Sequence, residues 1–174
     1  ASIFGEMLYT EHMKQENPRK AKELLFYKLD DLYASIIRQA GFVRFEIKAH
    51  EMMREGKTIE QMSKVYLADL RKQLGPKIQV DDIFAYEWAY IPHIFHTPFY
   101  CYSYAFGNLL VLALWERYQE EGTPFAERII NMLAKGGSES PVVITRAVGV
   151  DICSEKFWQQ GFDVIERMVN ELEN

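Results

Sequence analysis

Residues 18–54 read PRKAKELLFYKLDDLYASIIRQAGFVRFEIKAHEMMR, and their apolar side chains recur every three or four positions. This spacing places those side chains on one face of an α-helix, since a helix turns once about every 3.6 residues. The recurring positions are Leu25, Leu29, Leu32, Ile36, Ala40, Val43 and Ile47. The pattern predicts one long helix over about 18–54, which would span roughly 55 Å at the helical rise. Gly41 lies inside this helix and predicts a bend.

Start and stop signals divide the rest of the chain into further helices. Four prolines follow a residue suited to capping a helix, namely Asn17-Pro18, Thr97-Pro98, Thr123-Pro124 and Ser140-Pro141. A capping box at Thr58 and Gln61 predicts another start, and Gly56, Gly75, Gly122 and Gly136 predict ends. The predicted helices cover about 1–15, 58–74, 98–121, 124–134, 141–148 and 155–172. Since no segment alternates with period two, the predicted fold class is all-α, a multi-helix assembly with one long helix.

The length is that of one ordinary globular domain or of a piece of a larger one. The 174 residues are 48% hydrophobic, 26% charged and 14% aromatic, which is enough to build a folded core. The net charge is −5; residues 88–174 hold 6 basic and 11 acidic side chains, whereas residues 1–87 hold 14 of each. Because no basic stripe exists to bind phosphates, we predict no nucleic-acid partner.

Cysteine usage and hydropathy indicate the compartment. Cys101 and Cys153 form no disulfide framework, so a reducing compartment, the cytoplasm, is expected and both thiols are predicted to be buried. No signal peptide is recognised at Ala1. The longest apolar run, Leu109–Trp115, is too short to span a bilayer, so no membrane partner is predicted.

The densest cluster of chemically useful side chains lies between Tyr90 and Gly107. It contains His93, His96, Tyr100, Tyr102 and Tyr104. If Thr97 caps a helix that starts at Pro98, Tyr100 and Tyr104 share a face with Gly107 one turn further, and Tyr102 points elsewhere. Phenol and imidazole groups can donate hydrogen bonds to a developing oxyanion, and the glycine would let a peptide approach. The alternative is that the aromatic side chains belong to the core and that backbone carbonyls satisfy the histidines.

No motif predicts a metal site within this chain. His93-x-x-His96 supplies two ligands at most, and His50-Glu51-x-x-Arg54 has an arginine where a zinc helix needs its second histidine. Nucleophile-elbow and phosphate-loop motifs are also missing from the sequence. Glu6, four residues after Ser2, is either a surface carboxylate or the partner of a group that the chain does not include.

Four separated motifs resemble one family in the same order. The first is Ala1-Ser2-Ile3-Phe4-Gly5-Glu6. The second runs from Ile91-Pro92-His93-Ile94-Phe95 through Pro98-Phe99-Tyr100-x-Tyr102-x-Tyr104-Ala105-Phe106-Gly107. The others are Gly136-Gly137-Ser138-x-Ser140-Pro141 with Gly149-Val150-Asp151, and Phe157-Trp158-Gln159-Gln160-Gly161. Together they resemble the C-terminal part of the oligoendopeptidase F family, zinc metallopeptidases related to thimet oligopeptidase.

This resemblance implies that residues 1–174 are the C-terminal helical part of a peptidase catalytic domain and form one wall of its cleft. In the family, two histidines of an upstream H-E-x-x-H helix and a glutamate hold zinc, and the motif's own glutamate activates the water. The glutamate ligand would precede Ala1 by two residues. Zinc is therefore expected in the full-length parent and not in this chain alone, and short peptides are the expected substrates.

The same resemblance assigns roles to residues of this chain. His93 and Tyr104 would stabilise the oxyanion and grip the substrate backbone, and Tyr100 would assist, although the two tyrosines could exchange roles. We take His96, Tyr102 and Gly107 as substrate-binding candidates, although His96 lies outside the matched pattern. Glu6 would support the zinc-bearing helix.

Two other interpretations stay open at this point. The chain could be a non-catalytic helical peptide-binding or scaffold module, or a stable product of proteolysis. As part of an enzyme, the isolated chain should be inactive and should expose an apolar face. That face would bind the missing zinc-bearing N-terminal part or drive self-association. Its predicted members are Ala1, Ile3, Phe4, Met7, Leu8, Phe26, Tyr33, Ile37, Ala40 and the side of Tyr100 and Tyr104.

Overall fold

The computed structural model describes residues 1–173, and within them the chain is helical with no strand. This confirms the all-α prediction. The α-helices are α1 Ser2–Glu16, α2 Ala21–Leu32, α3 Gln39–Arg54, α4 Ile59–Leu74, α5 Pro92–His96, α6 Tyr102–Glu121, α7 Thr123–Ala134, α8 Pro141–Arg146 and α9 Glu155–Glu173. Short 3-10 helices cover Pro18–Lys20 and Asp82–Tyr90, and a π-helix covers Tyr33–Arg38.

The chain divides into two compact units, each with its own core. The first unit combines Ala1–Asp31 with the described residues from Gly107 onward, and the second is Leu32–Phe106. Phe125, with no exposed surface, lies in the core of the first unit with Leu114 and Val150. The core of the second unit is aromatic and is built around Phe42, Phe45, Tyr66 and Trp88.

The predicted long helix is present as a helical run, but its buried face changes register at the π-helix. Leu25, Leu32 and Ile36 are buried as predicted, whereas Ile47 is 50% exposed. A π turn contains about one residue more than an α turn, so every later apolar position is displaced by one. After the π-helix the buried positions are therefore Gly41, Phe42, Phe45, Glu46, Ala49 and Met52.

The helix boundaries confirm some of the predicted signals and contradict others. The Thr58–Gln61 capping box forms, and the Ser140 hydroxyl accepts from the Val143 N–H at the start of α8. Gly75, with a φ of 75°, ends α4. Thr97 instead follows the end of α5. The helix predicted over about 98–121 is present, but its predicted start at residue 98 is wrong because α6 begins only at Tyr102.

The predicted apolar face is exposed only in part. Leu8 and Phe26 in the first unit and Ile37 in the second are exposed, but Met7 is only 3% exposed. Residues of α1, α6 and α7 line an open apolar recess of about 470 Å³ in the first unit. In the part of the chain that the structure describes, no helix is long and apolar enough to cross a membrane.

Candidate active site

Short helical segments anchored on the core of the second unit carry the candidate site. Trp88, near the end of the Asp82–Tyr90 helix, is buried, and its Nε1–H donates to the Ser63 hydroxyl at 3.0 Å. Ile91 and Ile94 pack against the same core. Because this apolar side holds α5, His93 is presented toward the loop that leads into α6.

Three aromatic rings meet there. His93 Nε2 lies 3.1 Å from the Tyr104 hydroxyl oxygen. The Tyr100 ring is stacked on the imidazole, with centroids 5.6 Å apart and planes 9° apart. Tyr104 meets both other rings edge-on, at 5.7 Å from His93 and 5.8 Å from Tyr100. The structure therefore brings together the three residues predicted to stabilise an oxyanion.

Tyr100 reaches this cluster by a different route from the predicted one. It precedes α6 rather than lying one turn before Tyr104 on a continuous helix. A turn at residues 97–100 folds the chain back, and the Tyr100 N–H donates to the Thr97 carbonyl at 3.2 Å. The turn, not helical periodicity, brings the two phenols together.

The chemistry available to the cluster depends on the imidazole tautomer. When Nε2 carries the proton, the His93 imidazole donates to the phenol oxygen, and the Tyr104 hydrogen can then be donated to another acceptor. A carbonyl oxygen that gains negative charge is such an acceptor, and a hydrogen-bond donor aimed at it lowers the energy of the charged state. In the other tautomer the phenol donates to Nε2.

The three substrate-binding candidates are placed differently. His96 ends α5 and is exposed, and Tyr102 begins α6 with 58% of its surface exposed. Gly107 belongs to the other compact unit, and a Cβ built there would meet no atom within 4 Å. The space beside Gly107 is therefore open within the described residues.

Glu6 forms an ion pair within the first unit. The Lys28 ammonium donates to Glu6 Oε2 at 2.8 Å, and the Ser2 hydroxyl donates to Oε1 at 3.3 Å. The hydrogen bond from Lys28 lowers the pKa of Glu6, against a smaller opposing effect of desolvation. Lys28 itself is only 7% exposed, so this carboxylate compensates a buried charge that the sequence analysis did not recognise.

The predictions for cysteine and metal have separate outcomes. Cys101 is fully buried, and burial raises the pKa of its thiol, with a further contribution from the charge of Glu46. The prediction that Cys153 is buried is wrong, because this residue is exposed. Among residues 1–173, no group of three or more His, Cys, Asp or Glu side chains is arranged to hold a metal ion.

Within the described residues, the chain is an all-helical protein that holds one imidazole and two phenols together beside a loop. Residues 1–164 match peptidase family M3, and the chain belongs to that family. The resemblance to the oligoendopeptidase F family is thereby confirmed.

Similar proteins carry the corresponding names. The chain is 28% identical over 176 residues to the oligoendopeptidase F homolog of Borreliella burgdorferi, covering 99% of this chain and 30% of that protein. It is 29% identical over 177 residues to oligopeptidase PepF of Bacillus subtilis, covering 99% of this chain and 26% of that protein. The crystal structure of oligoendopeptidase-F from Enterococcus faecium superimposes with a TM-score of 0.88 at 27% identity, covering 99% of this chain and 34% of that chain. The chain thus spans about a third or less of the length of these relatives.

Proposed function

We propose that this chain is the oxyanion-stabilising and substrate-binding part of a zinc-dependent oligopeptidase that hydrolyses short peptides. The observation that carries the proposal is the 3.1 Å contact between His93 Nε2 and the Tyr104 hydroxyl, with Tyr100 stacked on the imidazole. Membership of a peptidase family makes a peptide carbonyl the relevant acceptor.

Each candidate residue has a role in this proposal. The Tyr104 hydroxyl donates to the oxygen of the scissile carbonyl as charge develops on it, and the His93 Nε2–H donates in turn to the Tyr104 oxygen, so both residues stabilise the oxyanion. Tyr100 holds the imidazole plane by stacking. His96 and Tyr102 contact the bound peptide beside this cluster. Gly107 stays a substrate-binding candidate within the other unit, and Glu6 supports the zinc-bearing helix.

Zinc and its nucleophilic water are assigned to residues outside this chain. The described residues do not fit a zinc site, because they contain no suitable group of three ligands. The 174 residues alone are expected to be inactive, since oxyanion donors cannot supply a nucleophile. Turnover of a quenched short peptide by the purified chain with added zinc would contradict that expectation.

The test of the proposal uses the full-length gene product and a quenched short peptide. Tyr104→Phe and His93→Ala should each lower kcat by roughly 10²- to 10³-fold, the usual cost of losing one oxyanion donor. Tyr27→Phe is the matched control, because it removes the same hydroxyl from an exposed residue of α2. An unchanged kcat in both site variants would overturn the assignment.

The compartment is a subsidiary proposal. Two cysteines without a disulfide framework favour the reducing cytoplasm. Fractionation of the producing cells, with the protein followed by antibody, tests this assignment directly.

A further inference from the structure

The turn that delivers Tyr100 to the site has an unusual residue at its third position. Thr97 to Tyr100 is closed by the Tyr100 N–H donating to the Thr97 carbonyl, and Pro98 occupies the second position. Phe99 follows with a φ of 61°. Proline followed by a residue of positive φ is the pattern of a type II turn, in which glycine is the usual third residue. A phenylalanine in this left-handed region strains the backbone, because its Cβ crowds the neighbouring carbonyl oxygen.

A buried carboxylate on α3 compensates this strain. Glu46 has no exposed surface, and its Oε1 accepts a hydrogen bond from the Phe99 N–H at 2.7 Å. Its Oε2 has no hydrogen-bond partner within residues 1–173. One turn further along α3, the His50 ring contacts the Phe99 ring with centroids 4.9 Å apart. Both contacts come from one helix, one to the backbone and one to the side chain of the strained residue.

Core stability does not explain the carboxylate. Glu46 lies on the face of α3 that packs into the aromatic core, between Phe42 and Ala49 along the helix. Burying a carboxylate there is costly, and an apolar side chain of similar volume would fill the space without that cost. What the glutamate adds is one acceptor oxygen at a fixed distance from the Phe99 N–H.

We infer that Glu46 is a positioning residue that holds the Thr97–Tyr100 turn, and through it Tyr100, against His93 and Tyr104. This inference rests on the proposed function, because the position of the rings matters only if they act on a substrate. Misplacing a reacting group by about 1 Å can cost on the order of 10²-fold in rate. The side chain therefore acts on catalysis without touching the substrate.

Two conservative variants of the full-length gene product separate the effect of the length of the Glu46 side chain from the effect of its charge. Glu46→Gln keeps the side-chain length and an oxygen that can accept from Phe99, but loses the charge. Glu46→Asp keeps the charge and withdraws the carboxylate by about 1.5 Å, one carbon–carbon bond. We expect Glu46→Asp to lower kcat about 10- to 100-fold with KM little changed, and Glu46→Gln to stay close to the wild type. Equal effects of the two variants would overturn the inference.

A double-mutant cycle separates positioning from general loss of stability. In a Tyr104→Phe background, Glu46→Asp should lower kcat far less than in the wild type, since residues that act as one unit are not additive. Additive losses would overturn the inference. Tyr66→Phe is the structural control, because it removes a buried hydroxyl from the same core and should leave kcat unchanged. If Tyr104→Phe and His93→Ala both leave kcat unchanged, the proposed function fails. If Tyr104→Phe lowers kcat and Glu46→Asp does not, only the role of Glu46 fails.

One measurement needs no variant. Phe99 is 42% exposed as a residue, so its amide would exchange rapidly with solvent if it had no acceptor. The hydrogen bond to Glu46 predicts slow exchange of this amide in the wild-type protein. An unprotected Phe99 amide would overturn the inference however the variants behave.

Discussion

Two buried charges, one in each compact unit, are compensated in different ways. Lys28 in the first unit is 7% exposed; its ammonium donates to Glu6 at 2.8 Å and lies 3.6 Å from Asp31. Glu46 in the second unit is fully buried, and among the described residues it accepts a hydrogen bond from the Phe99 N–H and no other. Lys28 is compensated by two carboxylates that are exposed to water, whereas Glu46 is compensated by one backbone N–H.

The difference shows what each buried charge does. The Lys28–Glu6 pair joins α1 to α2, so it stabilises the packing of two regular helices. The Glu46–Phe99 hydrogen bond joins a regular helix to an irregular turn that carries a ring of the site. Lys28, whose charge is compensated by carboxylates, stabilises helix packing. Glu46, which is compensated by the N–H of the strained Phe99, holds the turn in position.

We expect the largest effect on stability when the Lys28–Glu6 ion pair loses one of its two members. Glu6→Gln leaves the buried Lys28 ammonium with Asp31 as its nearest carboxylate, and we expect a loss of about 1–2 kcal/mol in local stability. Lys28→Met should cost less, because Glu6 is 51% exposed and can be solvated by water. Hydrogen exchange of α1 and α2 amides in the full-length product measures both losses. Equal losses, or a larger loss for Lys28→Met, would contradict this asymmetry.

A smaller effect should follow from changing the residue at the strained turn. Phe99→Val places a β-branched side chain at a φ of 61°, whereas Phe99→Asn places there a residue that adopts this region more readily. We expect the valine variant to protect the Tyr100 amide less than the asparagine variant, by about 1 kcal/mol or fivefold in exchange rate. The opposite order would mean that apolar contact with His50 outweighs backbone strain.

The regular helices were predictable because periodicity and caps act locally. The predicted segment 155–172 is observed as Glu155–Glu173, and 58–74 as Ile59–Leu74. Both segments repeat their apolar residues along one face, and the Thr58 capping box marks the start of the second. In both segments the local signals agree with the structure that forms.

The surroundings of the site were not predictable in the same way. The 3-10 helix Asp82–Tyr90 is too short and irregular to show a period. Phe99 occupies a turn position where glycine would have been the signal. Glu46 lies on the buried face of α3 in the register that follows the π-helix, and its contact to Phe99 joins residues 53 positions apart. The clustering of histidine and tyrosine types marked the region, but tertiary contacts set its geometry.

The smallest expected effect is a pH dependence of the stability that the Lys28–Glu6 ion pair contributes. The hydrogen bond from Lys28 holds the pKa of Glu6 below its ordinary value of 4.5. A carboxyl group whose pKa is lowered by folding adds stability that is complete above about pH 4.5 and is lost as pH falls through the lowered pKa. The difference in Tm between wild type and Glu6→Gln should therefore be largest at neutral pH and should shrink as the pH falls through the lowered pKa of Glu6.

The Lys28→Met variant tests the cause of the lowered pKa of Glu6. Lys28→Met removes the ammonium that donates to Glu6, so the Glu6 carboxyl resonance should titrate closer to pH 4.5 in that variant. The measurement is an NMR titration of the Glu6 carboxyl carbon in both proteins. A Tm difference between wild type and Glu6→Gln that does not change with pH would show that the uncharged amide replaces the carboxylate without electrostatic cost. The Lys28–Glu6 contact would then stabilise the fold through its hydrogen-bond geometry and not through the charge of Glu6.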